Sequence, residues 1–195
     1  MKTASARAFT VIELITVIAI IAILMAIITP VASNMIATAR RSSDANDLRQ
    51  LAMATIAYIN ESGAANSVSF TSVNDWAVKL AQAGGFNEPE IFFALGDTAL
   101  PTTLPTRVHT NGVVDETFAT CPLSVAAAAT INMNGSAAST PIIWTRGLGS
   151  TGTWANTAPY GTKGGYVAFL DGHVVFYSKL PSNIDLPSSI LSRAE

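Results

Sequence analysis

The feature that most constrains this chain is a long uncharged run near its N-terminus. Residues 14–39 contain no charged side chain, and the first half of that run is almost entirely aliphatic. A helix needs about 20 apolar residues to cross the hydrocarbon core of a bilayer. Phe9 to Ile28 supplies that length with one interruption, Glu13. The sequence therefore predicts a transmembrane segment over about residues 9–29.

The polar residues before this run differ from an ordinary secretory signal, in which cleavage follows the apolar stretch. Lys2 and Arg7 precede Ala8, and the apolar run comes after it. Cleavage after the run would discard the whole helix. The pattern instead predicts a leader peptide of residues 1–8, removed so that the helix stays in the mature protein.

Glu13 cannot pair with a cationic side chain of its own helix, because neither Lys nor Arg occurs between Glu13 and Arg40. A carboxylate at the bilayer centre costs about 2.5–3.5 kcal/mol on insertion scales, so it normally has a partner. Cleavage after Ala8 would create a nearby cation, the α-amine of Phe9, in the same subunit or in a neighbour. The alternative is a plain single-pass anchor in which Glu13 reaches towards the headgroups.

The N-terminal motif resembles a known processing signal. Ala8, the stretch Phe9-Thr10-Val11-Ile12-Glu13, the aliphatic run and Pro30 together resemble the N-terminus of type IV pilins and of the pseudopilins of type II secretion. Counted from Phe9, the Glu and the Pro stand at the family's fifth and twenty-second positions. Ala8 departs from the family, which usually has Gly before the cut.

This resemblance implies a pathway of processing and assembly. A prepilin peptidase would cut between Ala8 and Phe9 and N-methylate Phe9, and Glu13 would form an assembly salt bridge with a neighbouring subunit's amine. The chain would sit in the bacterial inner membrane with its head in the periplasm, and then join a periplasmic or cell-surface filament. Its partners would be that peptidase, copies of itself or related subunits, and a secretion or pilus assembly platform.

The helix is predicted to continue beyond Pro30, which removes one backbone hydrogen bond and favours a kink. An apolar stripe at helical spacing follows, formed by Leu48, Leu51, Ala52, Thr55, Ile56 and Ile59. Ser62-Gly63 is a plausible end. We therefore expect a helix over 9–62, half in the membrane and half amphipathic, and a globular head over 63–195.

The head is predicted to combine short helices with a small antiparallel sheet. A helix from Asn74 to Gly84 would be capped by Asn74 or Asp75 and place Trp76 in the core. A second helical turn would begin near Asn87 and Pro89. Pro141 to Arg146 is predicted to be a strand, which gives an α+β, pilin-like fold.

A hairpin is predicted over about residues 164–178, because Asp171-Gly172 lies between two β-rich runs. Pairing Leu170 with His173 would make this a two-residue turn. The Asp171-Gly172-His173 motif partly resembles a C-terminal motif of pseudopilin-like sequences. Many of those carry a His ten residues before the Asp, where this chain has Gly161.

Other functions receive weaker support from the sequence. The net charge of −2 and the 12% of charged residues leave no basic surface for nucleic acid. Asp171, His173 and His109 could form a metal or catalytic site, but Asp in a turn usually serves backbone geometry. The single Cys121 is expected to be buried rather than reactive. We expect no enzyme activity, no cofactor and no metal; the alternatives are a membrane-tethered periplasmic binding domain that does not polymerise, and a tethered enzyme using Asp171 and His173.

Overall fold

The computed structural model describes residues 9–63, 67–187 and 190–192. The predicted leader, including Ala8, lies outside these residues. The chain divides into two compact units, Met1–Ala39 and Arg40–Glu195. A long N-terminal helix and antiparallel sheets confirm the predicted α+β class.

Helices and strands follow one another in a simple order along the described chain. The α-helices are α1 (Val11–Glu61), α2 (Val73–Gly84) and α3 (Glu116–Thr120), with 3₁₀ turns at Pro89–Phe92 and Gly161–Lys163. The strands are β1 (Ser67–Ser69), β2 (His109–Thr110), β3 (Val113–Val114), β4 (Val125–Ala128), β5 (Thr130–Asn132), β6 (Pro141–Thr145), β7 (Gly165–Phe169), β8 (Val174–Tyr177) and β9 (Ile190–Leu191).

The second half of α1 is amphipathic, as its 3.6-residue pattern predicts. Its stripe is buried at five positions, while Ile56 is partly buried against the core. The buried positions are Leu48, Leu51, Ala52, Thr55 and Ile59. The helix ends at Glu61, and Gly63 then takes a φ of 66°, which ends the helical path without a Cβ penalty.

The main sheet has five strands in the order β8-β7-β6-β4-β9, and every pairing in it is antiparallel. Strand β6 confirms the strand predicted from Pro141 onward. All residues of β4 and β6 are buried, which explains why their sequences are apolar at every position except Thr145 and do not alternate. Two smaller sheets pair β1 with β5 and β2 with β3.

The β7–β8 hairpin differs from the prediction by one residue in register. Val167 pairs with Val175, and Phe169 donates its N–H to His173 O at 3.0 Å, so Leu170 does not pair with His173. The loop therefore has three residues. Its last residue, Gly172, has a φ of 83°, whereas a two-residue Asp-Gly turn would need positive φ at Asp171 as well.

The N-terminus of α2 also corrects a prediction. Ser72 is the N-cap, and its hydroxyl accepts the Asp75 N–H at 3.0 Å; neither Asn74 nor Asp75 is the cap. The Asp75 carboxylate accepts the Thr71 N–H at 3.0 Å, which completes a reciprocal capping arrangement. Trp76, predicted to be core, is fully buried.

Aromatic side chains and one ion pair hold the head together. Trp76 meets Phe92 edge-on at 5.6 Å between ring centroids, and Phe92 meets Phe118 at 5.5 Å. Arg146 donates from one terminal nitrogen to both carboxylate oxygens of Asp97, each at 2.9 Å, with both side chains buried. This pair joins the segment after the Pro89–Phe92 turn to the end of β6.

Candidate membrane and assembly segment

The first part of α1 exposes apolar side chains all around its axis. From Val11 to Ile36 the large apolar side chains are between 46% and 75% exposed. The helix is long and apolar enough to cross a membrane, and none of its most apolar window is buried within the described chain. The core helix of a water-soluble domain buries such residues, so this segment has the properties expected of a lipid-facing or partner-facing helix.

Glu13 is held by the residue that opens the helix. The backbone N–H and the hydroxyl of Thr10 both donate to Oε2 of Glu13, at 2.8 and 2.7 Å, and the Glu13 N–H lies 3.3 Å from the Thr10 hydroxyl oxygen. This is a capping box, whose signature is Thr-x-x-Glu. The Thr-x-x-Glu spacing is visible in the sequence, so Thr10 could have been predicted as a partner of Glu13, for which only cations were considered. Within the described residues Oε1 accepts no hydrogen bond, so it is open to a further donor.

The predicted cleavage site lies just before this cap. Ala8 is outside the described residues, while Phe9 precedes the first helical residue, Val11, and its side chain is 73% exposed. A protease needs its scissile bond in a non-helical, accessible segment. Phe9 meets that requirement on its side of the bond.

Pro30 lies inside α1, and the helix continues through it. On either side of it a side chain bonds to the backbone of the previous turn. The Thr29 hydroxyl donates to Met25 O at 2.7 Å, and the Ser33 hydroxyl donates to Pro30 O at 3.0 Å. The predicted kink at Pro30 stays a prediction.

Asp171, Gly172 and His173 form the tip of the β7–β8 hairpin. Oδ1 of Asp171 accepts the backbone N–H of His173 at 3.0 Å and also contacts Nδ1 of that ring. The backbone hydrogen bond, followed by the side-chain one, holds the pKa of Asp171 below its usual value. His173 stacks on Phe169 with ring centroids 4.3 Å apart. These contacts close and order a turn.

The other candidate residues are placed separately. Nδ1 of His109 accepts the Gly112 N–H at 3.1 Å within the small β2–β3 sheet, and Cys121 is buried as predicted. Among the described residues, no group of three or more His, Cys, Asp or Glu side chains could hold a metal ion. The structure therefore does not assemble Asp171, His173 and His109 into a ligand set.

A network that the sequence did not indicate lies where α1 enters the head. Asp44 is buried; its carboxylate accepts the Leu95 N–H at 2.9 Å and the Tyr160 hydroxyl at 2.5 Å. Burial, and then the hydrogen bond to Asp44, raise the pKa of Tyr160 far above its usual value, so this phenol stays protonated and donates. The Arg41 guanidinium lies over the rings of Tyr160 and Phe176, 5.9 and 5.7 Å from their centroids.

Comparison with known proteins adds no relative to this description. A scan against protein-family models and searches of curated proteins and of solved structures give no match to this chain. The resemblance of its N-terminal motif to that of pilin-like proteins therefore stays a prediction.

Proposed function

We propose that this chain is the precursor of a pilin-like or pseudopilin structural subunit. A prepilin peptidase cuts it between Ala8 and Phe9 and N-methylates Phe9. The mature subunit is anchored in the bacterial inner membrane with its head in the periplasm. It then enters a filament of a type II secretion or type IV pilus-like system. In this role the chain is a structural subunit with no catalytic residue and no cofactor.

The observation that carries the proposal is the exposed apolar helix with a carboxylate at its start. Each large apolar side chain left in water forfeits about 1.5–3 kcal/mol, and most residues from Val11 to Ile28 are of this kind. A subunit that leaves the bilayer must therefore cover this surface with other apolar helices. A bundle of the same helices from neighbouring copies supplies such cover.

Glu13 would place one polar contact between neighbouring helices of this bundle. The capping box accounts for Oε2, and a methylated amine at Phe9 of a neighbouring copy can donate to Oε1. A charge-assisted hydrogen bond in a low-dielectric core is stronger than one in water. Pairing at one position along an otherwise uniform apolar helix would fix the axial stagger of adjacent subunits.

The first test is the intact mass of the membrane-extracted protein from a host with its own prepilin peptidase. We expect a chain that starts at N-methylated Phe9. A mass that retains residues 1–8 would contradict the proposed processing and leave a single-pass anchor.

A second test separates the charge of Glu13 from its capping role. Glu13→Gln can still accept hydrogen bonds from Thr10, but it cannot neutralise an amine. We expect normal cleavage and at least a tenfold loss of filament incorporation, equivalent to about 1.4 kcal/mol. Thr16→Val is the matched control, because it changes a polar side chain one turn later and leaves Glu13 intact. Normal incorporation of the Glu13→Gln variant would contradict the proposed salt bridge.

A further inference from the structure

The head contains two Asn-Gly dipeptides, Asn111-Gly112 and Asn134-Gly135, and it holds them in different ways. In any such dipeptide the Gly nitrogen can attack the side-chain amide of the Asn, and it is poorly shielded because Gly has no Cβ. All four residues are exposed to solvent. Access to water is therefore similar at both sites, and the hydrogen bonds around each dipeptide decide how readily the attack occurs.

The first dipeptide is fixed in the tight turn of the β2–β3 hairpin. Thr110 pairs with Val113, and between them Asn111 and Gly112 have φ values of 51° and 82°. Two central residues with positive φ are what a type I′ turn requires. The Gly112 N–H also donates to Nδ1 of His109 at 3.1 Å. The nitrogen that would attack Asn111 is therefore already engaged, and the turn opposes its approach to the side chain.

The second dipeptide lies in the loop between β5 and β6 and is held only at its flanks. The Asn134 N–H donates to Oδ1 of Asn132 at 2.9 Å, and beyond the dipeptide Ser136 O accepts the Thr140 N–H at 3.0 Å. In the described parts of the chain, neither the side-chain amide of Asn134 nor the N–H of Gly135 takes part in a hydrogen bond. No such bond has to break before these two groups meet.

Close packing explains why Gly follows Asn134. A Cβ on residue 135 would lie 2.5 Å from Oγ1 of Thr140. That hydroxyl donates to Ser136 O at 2.9 Å, so the loop itself fixes its position. A larger residue at position 135 would shield the nitrogen, but it would also displace Thr140. The conformation of the loop therefore maintains the reactive dipeptide.

We propose that Asn134 is a site of spontaneous deamidation, whereas Asn111 is protected. The Gly135 nitrogen loses its proton to a base in solvent and attacks Cγ of Asn134. A new C–N bond forms, the bond from Cγ to the amide nitrogen breaks, and ammonia leaves. Water then opens the resulting succinimide ring at either carbonyl, which gives aspartate or isoaspartate. Water is the only co-reactant, no electrons are transferred, and the inference is independent of the proposed function.

Deamidation at this position affects the tip of the β7–β8 hairpin. The same loop accepts two backbone hydrogen bonds of the tip, from the Leu170 N–H to Thr140 O at 3.0 Å and from the Asp171 N–H to Ala137 O at 3.1 Å. The isoaspartate product carries one extra carbon in the main chain, and both products add a negative charge. We expect the lengthened loop to hold these two amides less firmly.

The test follows both dipeptides in one sample of the full chain, kept in detergent micelles at pH 8 and 37 °C. Peptide mass spectrometry measures the conversion of each Asn, and isoaspartyl methyltransferase labels the isoaspartate product. We expect Asn134 to convert about tenfold faster than Asn111, a ratio that corresponds to about 1.4 kcal/mol. In denaturant the two rates should become similar, because both local structures are lost. Equal rates in the folded chain would overturn the inference. So would an unchanged ratio in denaturant, because flanking residues and not the fold would then set it.

Two variants assign the cause of the difference. Asn134→Gln keeps an amide side chain but would have to close a larger ring, so conversion in this loop should stop while Asn111 behaves as before. His109→Phe removes the acceptor of the Gly112 N–H, and Asn111 should then convert at least about threefold faster. An unchanged rate at Asn111 would contradict the protection assigned to His109.

Hydrogen exchange tests the effect on the hairpin. In the isoaspartate fraction, exchange of the Leu170 and Asp171 amides should be at least about twofold faster than in the unmodified chain. The Asn134→Gln variant, incubated in parallel, is the control, and exchange of these amides should not change with time. Unchanged exchange in the isoaspartate fraction would contradict the proposed effect on the hairpin tip.

Discussion

The two units of this chain handle apolar residues in opposite ways. In the head the largest aromatic side chains, such as Trp76, Trp144 and Phe92, are essentially inaccessible to solvent. In the N-terminal unit Phe9, Ile20 and Met25 are each more than half exposed. The head is thus stabilised by its own sequence, whereas the first part of α1 has an apolar surface that only lipid or another chain can cover. Truncating an apolar side chain should therefore lower the stability of folding in the head, whereas in the N-terminal unit it should weaken membrane insertion or assembly.

The largest expected difference concerns a matched pair of apolar truncations. Phe92→Ala removes a side chain packed between Trp76 and Phe118, and we expect it to lower the free energy of unfolding of the head by about 3–5 kcal/mol. Ile20→Ala, at a position 58% exposed, should leave head unfolding unchanged. Denaturant unfolding of the full chain in detergent micelles measures both. A comparable loss for Ile20→Ala would break the distinction between the units.

The next largest effect tests the buried ion pair of the head against a surface pair. Asp97→Ala leaves the Arg146 charge buried without its carboxylate, and breaking such pairs costs about 3 kcal/mol or more. Lys79→Ala removes an i,i+4 pair with Asp75 on α2, worth about 0.3–0.5 kcal/mol. It also removes a cation–π contact with the Phe70 ring, worth about 0.5–1 kcal/mol. The same unfolding measurement compares them. Equal costs would mean that the Asp97 carboxylate is not the main stabiliser of its loop.

A smaller effect separates backbone conformation from close packing at two glycines. Gly85 has a φ of 71° and open space around a built Cβ, so Gly85→Ala should cost only the strain of the left-handed conformation, about 1 kcal/mol. Gly164 has a φ of 127° and would place a Cβ against Tyr177 O. We expect Gly164→Ala to cost at least twice as much, measured as a drop in the melting temperature of the head. Equal shifts would show that β8 moves away easily.

Local patterns predicted the elements that depend on neighbouring residues in the chain. The amphipathic stripe from Leu48 to Ile59, the burial of Trp76 and the strand at Pro141 all follow from spacing or composition within a few residues. The predicted register of the β7–β8 hairpin was wrong because Asp-Gly allows either a two- or a three-residue loop. The choice between them depends on packing of the strands, which the local sequence does not specify.

Long-range polar contacts were not predictable in the same way. Asp97 and Arg146 are 49 residues apart, and Asp44 and Tyr160 are 116 apart. Each of these residues is ordinary in its own segment, and its partner is defined only once the head has folded. The Thr10–Glu13 capping box is the opposite case, because its spacing is local and could have been recognised. The candidate site was thus predicted by its motif, while the contact between Asp44 and Tyr160 required the fold.

The smallest expected effect concerns Asp47, whose negative charge destabilises the folded head. Partial burial, and then the negative charge of Asp44, raise the pKa of Asp47 above its ordinary value. The folded state therefore binds a proton on the Asp47 carboxyl more tightly than the unfolded chain does. The stabilisation that this proton gives the folded state is present at low pH and is lost as pH rises through the raised pKa. Asp47→Asn removes that loss. Since the group is largely solvent-screened, we expect a gain of only about 1–2 °C in the melting temperature at pH 7.

The sign of this effect can be checked with Asp115→Asn. Hydrogen bonds from the hydroxyl and then the N–H of Thr117 lower the pKa of Asp115, so its charge favours the folded state at neutral pH, and the substitution should reduce the melting temperature slightly. Below about pH 3.9, the ordinary pKa of Asp, the gain from Asp47→Asn should disappear, because the native carboxyl is then neutral in both states. A gain that persists at pH 3 would mean that the amide stabilises α1 by a contact of its own, and that the charge of Asp47 costs the head nothing.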